Sequence, residues 1–170
     1  MTNIDELFAP MKEAPVTGRG NYMSAGVYEV SINKVFQKDA FSGNKLFICE
    51  FTVEESNNDA HKPGTTGTWA PKLNGVAATS TFGDIKCLLF ACMGKNGRDV
   101  PASDKDSHAF VAVLARAICG SETAKKELKA LGVEEDAASL VIGTRVKLEC
   151  AQTRTKAGHP FTRHTWSPAK

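Results

Sequence analysis

From Val27 to Asn33 apolar and polar residues alternate, with Tyr28, Val30 and Ile32 set against Glu29, Ser31 and Asn33. That period of two marks a half-buried β-strand. A second strand follows from Leu46 to Val53, with Phe47, Cys49, Phe51 and Val53 on one face. Between them residues Gln37 to Lys45 read as a turn with Ser42, Gly43 and Asn44 at its corner. After a polar loop from Glu54 to Gly67, a third and shorter strand is expected over Thr68 to Leu73, where Pro71 restricts it to an edge. The chain then changes period. Ser80 or Thr81 caps a helix from Phe82 to Met93 that Gly94 ends. Ser103 or Asp104 caps a second, on which Phe110, Val113, Leu114, Ala117 and Ile118 recur at helical spacing. Ser121 opens a third, with Glu122 in its first turn, Lys125, Lys126 and Lys129 later and Gly132 beyond its end.

From Thr144 to Trp166 the period of two returns on both sides of Lys156, Ala157 and Gly158, the pattern of a β-hairpin. Taking those three residues as the loop pairs Thr153 with Phe161, Ala151 with Arg163 and Glu149 with Thr165. Val146, Leu148, Cys150 and Trp166 then face a core, and Arg145, Lys147, Arg163 and Phe161 share the other side. Three strands, a helical stretch and two strands is the element order of the OB-fold. The expected class is therefore mainly β, a five-stranded OB-fold barrel with helices inserted between strands 3 and 4. Residues 1–21 read as an N-terminal arm, in which Ile4 to Met11 has the length of one or two helical turns before Pro10, Pro15, Gly18 and Gly20 prevent regular structure. Lys12 and Arg19 suit either an arm that reaches a partner or a frayed terminus. Residues 22–170 form the nucleic-acid-binding domain of this reading.

Composition narrows the picture slightly. The chain has 170 residues, 42% apolar and 24% charged, with a net charge of +2, so a polyanion site must come from clustering. Clustering is present: Arg145, Lys147, Arg154, Lys156, Arg163 and Lys170 face one acid, Glu149, over the last segment. Cys49, Cys87, Cys92, Cys119 and Cys150 sit among apolar neighbours and read as core thiols, not as a disulfide set. Cys87 and Cys92 stand ~140° apart around a helix, which one metal ion does not bridge. No metal and no cofactor is expected, and the absence of Gly-rich phosphate loops, His-Glu-x-x-His and G-x-S-x-G argues against an enzyme. The four histidines show no triad or metal spacing. With no run of 18 apolar residues and no basic-then-apolar start, neither a membrane span nor a signal peptide is expected, and an intracellular location follows.

Three segments resemble small OB-fold single-stranded DNA-binding proteins of tailed bacteriophages: Gly26 to Ile32 with Leu46 to Val53; Phe82 to Phe90; and Gly143 to Leu148 with Thr155 to Thr162. The match is a pattern of positions covering about half the chain. It implies single-stranded DNA as ligand, other phage replication or recombination proteins as partners and the cytoplasm of an infected bacterial host as location. Many cellular single-strand binders end in an acidic tail that recruits replication enzymes. This chain ends Trp166 to Lys170, short and basic, so recruitment of that kind does not carry over.

The candidate contacts follow from residue type. Phe161 stacks on a base while Arg145, Lys147 and Arg163 meet phosphates, or else it covers a barrel end on a solvated face. Arg154 and Lys156 lie near one hairpin tip, and Lys38 and Lys45 flank the other, where Phe41 stands in a polar loop and is a second stacking candidate. Trp69 serves as core or as platform. The rival classes are a protein-interaction or virion structural module, and a duplex or RNA binder.

Overall fold

The computed structural model describes residues 23–74, 78–154, 157, 158 and 160–169, and of residues 78–80, 160 and 161 the backbone only. Five strands run in the order expected: β1 (Gly26–Asp39), β2 (Lys45–Ser56), β3 (Thr66–Trp69), β4 (Arg145–Arg154) and β5 (Pro160–Pro168). Helices α1 (Ala78–Cys92), α2 (Lys105–Ile118) and α3 (Glu122–Ala130) lie between β3 and β4. All strand pairs are antiparallel, and the sheet order is β3-β2-β1-β4-β5. The closed barrel is not formed by hydrogen bonds among the described residues: β3 and β5 are both edges. The sheet nevertheless curls until its edges meet through side chains. Trp69 on β3 lies 5.4 Å from Trp166 on β5, ring centre to ring centre.

Two irregularities bend β1, one between Glu29 and Val30 and one between Ile32 and Lys34. The second leaves Asn33 without a partner, a β-bulge that shifts the alternation by one residue. Tyr28, Val30 and Ile32 are buried on one side of it, and Val35 on the other. The strand thus continues to Asp39, six residues past Asn33, and the turn shrinks to Ala40–Asn44. There the Ala40 N–H donates to the Asn44 carbonyl at 2.7 Å, and Gly43 takes a φ of 84° that suits glycine.

β3 starts and ends earlier than the sequence suggests. It stops at Trp69 because Pro71 has no N–H to give. The Pro71 carbonyl still accepts from the Phe47 N–H at 3.0 Å, and pairing with β2 resumes at Lys72.

Helix α1 begins at Ala78, so Thr81 is a buried residue inside it and not its cap. Burial of Ile85, Leu88, Leu89 and Phe90 against the sheet outweighs the local signal of a hydroxyl. Its C-terminus follows the glycine rule: Gly94 has a φ of 79°, and the Lys95 N–H donates to the Phe90 carbonyl at 2.9 Å. The Asp104 and Ser121 side chains cap α2 and α3, accepting from the N–H groups of Ser107 and Ala124. On α2 the buried stripe is Val111, Leu114 and Ala117, rotated slightly from the expected face, with Phe110, Val113 and Ile118 half-buried beside it. One continuous core results, joining Phe47, Phe51, Leu148 and Trp166 to the inward faces of α1 and α2. Cys49 and Cys150 are buried in it, and burial pushes the Cys150 thiol up to about 12.

Gly67 marks the tightest approach. A Cβ there would lie 2.6 Å from Phe51 Cζ and 3.0 Å from Met23 Sδ. Gly67→Ala is expected to destabilise the fold by about 1–3 kcal/mol through overpacking. A lowered urea midpoint at unchanged m-value would show it; an unchanged midpoint would mean that the Phe51 ring has room to yield.

Candidate nucleic-acid interface

The β4–β5 hairpin adopts the register read from its alternation: Glu149 faces Thr165, Ala151 faces Arg163, and Thr153 faces Phe161. Val146, Leu148, Cys150 and Trp166 are buried, while Arg145, Lys147 and Glu149 are exposed. Lys156 and the side chain of Phe161 lie outside the described residues, so the stacking role expected of Phe161 is placed only by its backbone pairing.

The exposed side of this hairpin is not uniformly cationic. β4 lies beside the first half of β1, which brings Glu29 opposite Lys147. The Arg145 guanidinium bonds the Glu29 carboxylate at 3.1 Å. Lys147 lines a shallow recess with Glu29, Glu55, Ser56 and Asn57. Arg154 is exposed and, like Lys147, has no ion-pair partner among the described residues. Arg163 is exposed too, but its charge acts on Asp84 of α1: burial raises the Asp84 carboxyl, and Arg163 and Arg98 partly offset that rise.

Trp69 is a correction. Its inward position opposite Cys49 buries it to 6% exposure, edge-on to Phe47 at 6.0 Å and tilted against Trp166. It is core and offers no face to a ligand.

The other hairpin carries the more open aromatic surface. Phe41, at the tip between β1 and β2, is 85% exposed. Lys45 beside it bonds Asp39 at 3.2 Å, and that carboxyl is held low by the Gln37 amide and by Lys45. Lys38 is exposed, facing Leu46 across the ladder. Because Asn33 bulges, Lys34, Phe36 and Lys38 project away from the core on the side opposite Val35. Phe36 is half-buried, pairs with Ile48 across the ladder and stands outside the core cluster. The Lys34 ammonium sits over its ring, 4.7 Å from the centroid. Phe36 is the residue that the sequence reading misses. The trace it leaves is polarity: Lys34 and Lys38 fall where the apolar series Tyr28, Val30, Ile32 would continue inward, which fits only if one residue is skipped.

The two sets of cations do not converge. β4 pairs with Gly26–Ser31 and its hairpin extends past Gly26, whereas the β1–β2 turn lies past Asp39. They flank the sheet from opposite ends of β1. Among the described residues, no three His, Cys, Asp or Glu side chains gather as a metal ion would require, and no helix is long and apolar enough to cross a membrane. No family model matches the chain, and no curated protein is similar enough to count as a match.

His164, opposite Cys150 on the β4–β5 ladder, lies 6.2 Å from the Trp69 ring. Burial lowers its pKa to about 4, partly offset by a hydrogen bond to the Thr162 backbone, so it is neutral at pH 7. The unfolded chain, with an ordinary histidine near 6.5, binds more protons than the folded one between about pH 6.5 and 4. Stability is expected to fall as pH drops through that window, with a contribution of at most ~1.4 kcal/mol per pH unit. Urea midpoints across pH 4.5 to 6.5 should show this slope, and His164→Asn should lack it. An identical slope in the variant would assign it to other groups.

Proposed function

We propose that the protein binds single-stranded DNA with little sequence preference, by stacking bases on exposed aromatic rings while lysines and arginines meet the phosphates, and that it does so in phage DNA replication or recombination in the bacterial host. The reading takes the sheet as an OB barrel left open at the seam between β3 and β5. Such barrels are commonly only partly closed, and they bind oligonucleotides on the strand 2–3 face and the loops joining strands 1–2 and 4–5.

The observation that carries the proposal is the β1–β2 arm. An aromatic ring that is 85% exposed at its tip and a second, outward ring with a lysine over it lie on one hairpin with Lys38. Exposed rings gain by stacking on bases, and flanking ammonium groups gain from the phosphates between those bases. Neither contact reads a base edge, hence the weak sequence preference. Lys147, Arg154 and Arg163 extend the cationic surface to the other hairpin.

A second reading, a protein-interaction or virion structural module, draws on one feature: carboxylates of Glu29, Glu55 and Glu149 interleave with the cations around Lys147. A mixed polar surface of that kind suits a protein partner better than a polyanion.

Fluorescence anisotropy with labelled oligo(dT), matched duplex and oligo(U) at several salt concentrations separates these readings. Oligo(dT) should bind more tightly than duplex. With about four phosphate contacts, log affinity should fall with log salt at a slope of roughly −3. Phe36→Ala and Phe41→Ala should each weaken binding by about 1–3 kcal/mol with little change of slope, whereas Lys147→Ala should reduce the slope by about 0.7. A flat salt response, or equal affinity for duplex, would remove the proposal and favour the protein-interaction module.

A further inference from the structure

On α1, Phe82 and Lys86 stand one turn apart on the same face. The Phe82 ring is 51% exposed, and Lys86 has no ion-pair partner among the described residues. Both border an apolar groove of about 380 Å³ beside α1, α2 and the Phe47 end of β2. Phe47, Ile85 and Val111 form its buried floor, with Leu73 and Cys119 half-buried at its sides. Among the described residues its charged lining is basic throughout: Lys86 and Arg116, the latter fixed by two bonds of 3.0 Å to Glu127. The groove adjoins the β1–β2 hairpin. The Leu73 N–H donates to the Lys45 carbonyl at 2.7 Å, and the Asn74 side-chain oxygen accepts from the Lys45 N–H at 2.9 Å. Lys45 follows Phe41 by four residues, no more than about 14 Å of chain.

We propose that this groove seats one nucleotide of the bound single strand, with its base stacked on Phe82, the base's apolar edge over the groove and a neighbouring phosphate on Lys86. The inference rests on the DNA-binding proposal and extends its track from the β1–β2 hairpin onto α1. An exposed ring with an ammonium one turn away supplies the two contacts, face and charge, that a nucleotide can use. The basic rim and the continuity with Lys45 favour a polyanion over an apolar protein segment. Because Glu127 already engages Arg116, the phosphate contact falls to Lys86. Apart from the two cations the lining side chains are apolar. A base that turned an amino or carbonyl edge into the groove would therefore lose hydrogen bonds to water without replacement. Thymine carries a methyl group there, which an apolar lining accepts. The seat thus favours thymine slightly, whereas stacking on the hairpin rings reads no base edge.

Chemical footprinting and binding on the full chain test it. In the unaltered protein, saturating oligo(dT) should slow alkylation of Cys119, which lines the groove, on the order of tenfold, as for a seat filled about nine-tenths of the time. Cys92, which lines a separate recess beside Met93 and Phe110, should keep its rate. Phe82→Ala should weaken oligo(dT) binding about 5- to 150-fold at an unchanged salt slope. Lys86→Ala should reduce the slope by about 0.7, and Lys126→Ala, exposed on α3, should leave it as it is. Oligo(dT) should bind about fourfold more tightly than oligo(dU) for one seated methyl group, and Phe82→Ala should remove that margin. If the unaltered protein binds oligo(dT) while Cys119 keeps its rate, or while Phe82→Ala and Lys86→Ala bind as the parent does, the seat is overturned and the DNA-binding proposal stands. A slope lowered equally by Lys126→Ala would overturn the seat as well, since Lys86 would then act only through overall charge. Absence of any oligo(dT) binding would remove both.

Discussion

The contact between Trp69 and Trp166 is the constraint on which the architecture rests. Among the described residues no hydrogen bonds join the two edges of the five-stranded sheet, so the contact that holds it curled there is between side chains that prefer each other to water. The two indoles sit on opposite edges at 5.4 Å, and Phe51 on β2 stands edge-on to Trp166 at 5.9 Å. Aromatic pairs at such distances contribute about 0.5–1.5 kcal/mol beyond the area they bury. Beneath this cluster α1 closes the concave side with Leu88 and Leu89. The outward face of β1 and β2, where the candidate rings stand, owes its shape to this inner arrangement.

Local signals were legible in the residues, and non-local ones were not. The β4–β5 register could be read because Val146, Leu148 and Cys150 alternate without a break and the loop is short. The caps at Asp104 and Ser121 and the glycines after α1 and α3 were equally readable, since each depends on a few neighbouring residues. The start of α1 misled because a hydroxyl near a helix start signals a cap, yet packing placed Thr81 in the core. The Asn33 bulge leaves only the two lysines at 34 and 38 as a local trace, and with it went the length of β1 and the outward placement of Phe36. Nothing in β4 itself announces Glu29 as the partner of Arg145. That neighbour comes from strand pairing across more than a hundred residues of chain.

The acids beside the candidate cations change what those cations can do. Lys45 with Asp39 is a solvent-exposed pair, and in Arg145 with Glu29 the guanidinium is exposed while the carboxylate is largely covered. Exposed pairs of this kind contribute about 0–1 kcal/mol, so they hold a side chain in place without committing it. On the DNA-binding proposal, a phosphate would displace the Asp39 carboxylate at little cost, and the Lys45 ammonium would already be oriented when it arrived. The same carboxylates repel a polyanion that approaches in the wrong register. A modest net charge of +2 is therefore compatible with strong local attraction, provided the ligand follows the surface path that the pairs leave open.

The open seam has a consequence for life in a crowded solution. An unpaired strand exposes a row of donors and acceptors on which a neighbouring molecule can template itself, and runaway stacking of that kind leads to fibrils. β3 is only four residues long, too short to nucleate a partner's strand. β5 is bracketed by Pro160 and Pro168, neither of which has an N–H to offer, and it carries Arg163 on its exposed side. The described edges of the unsealed sheet thus give a neighbouring strand little on which to template itself.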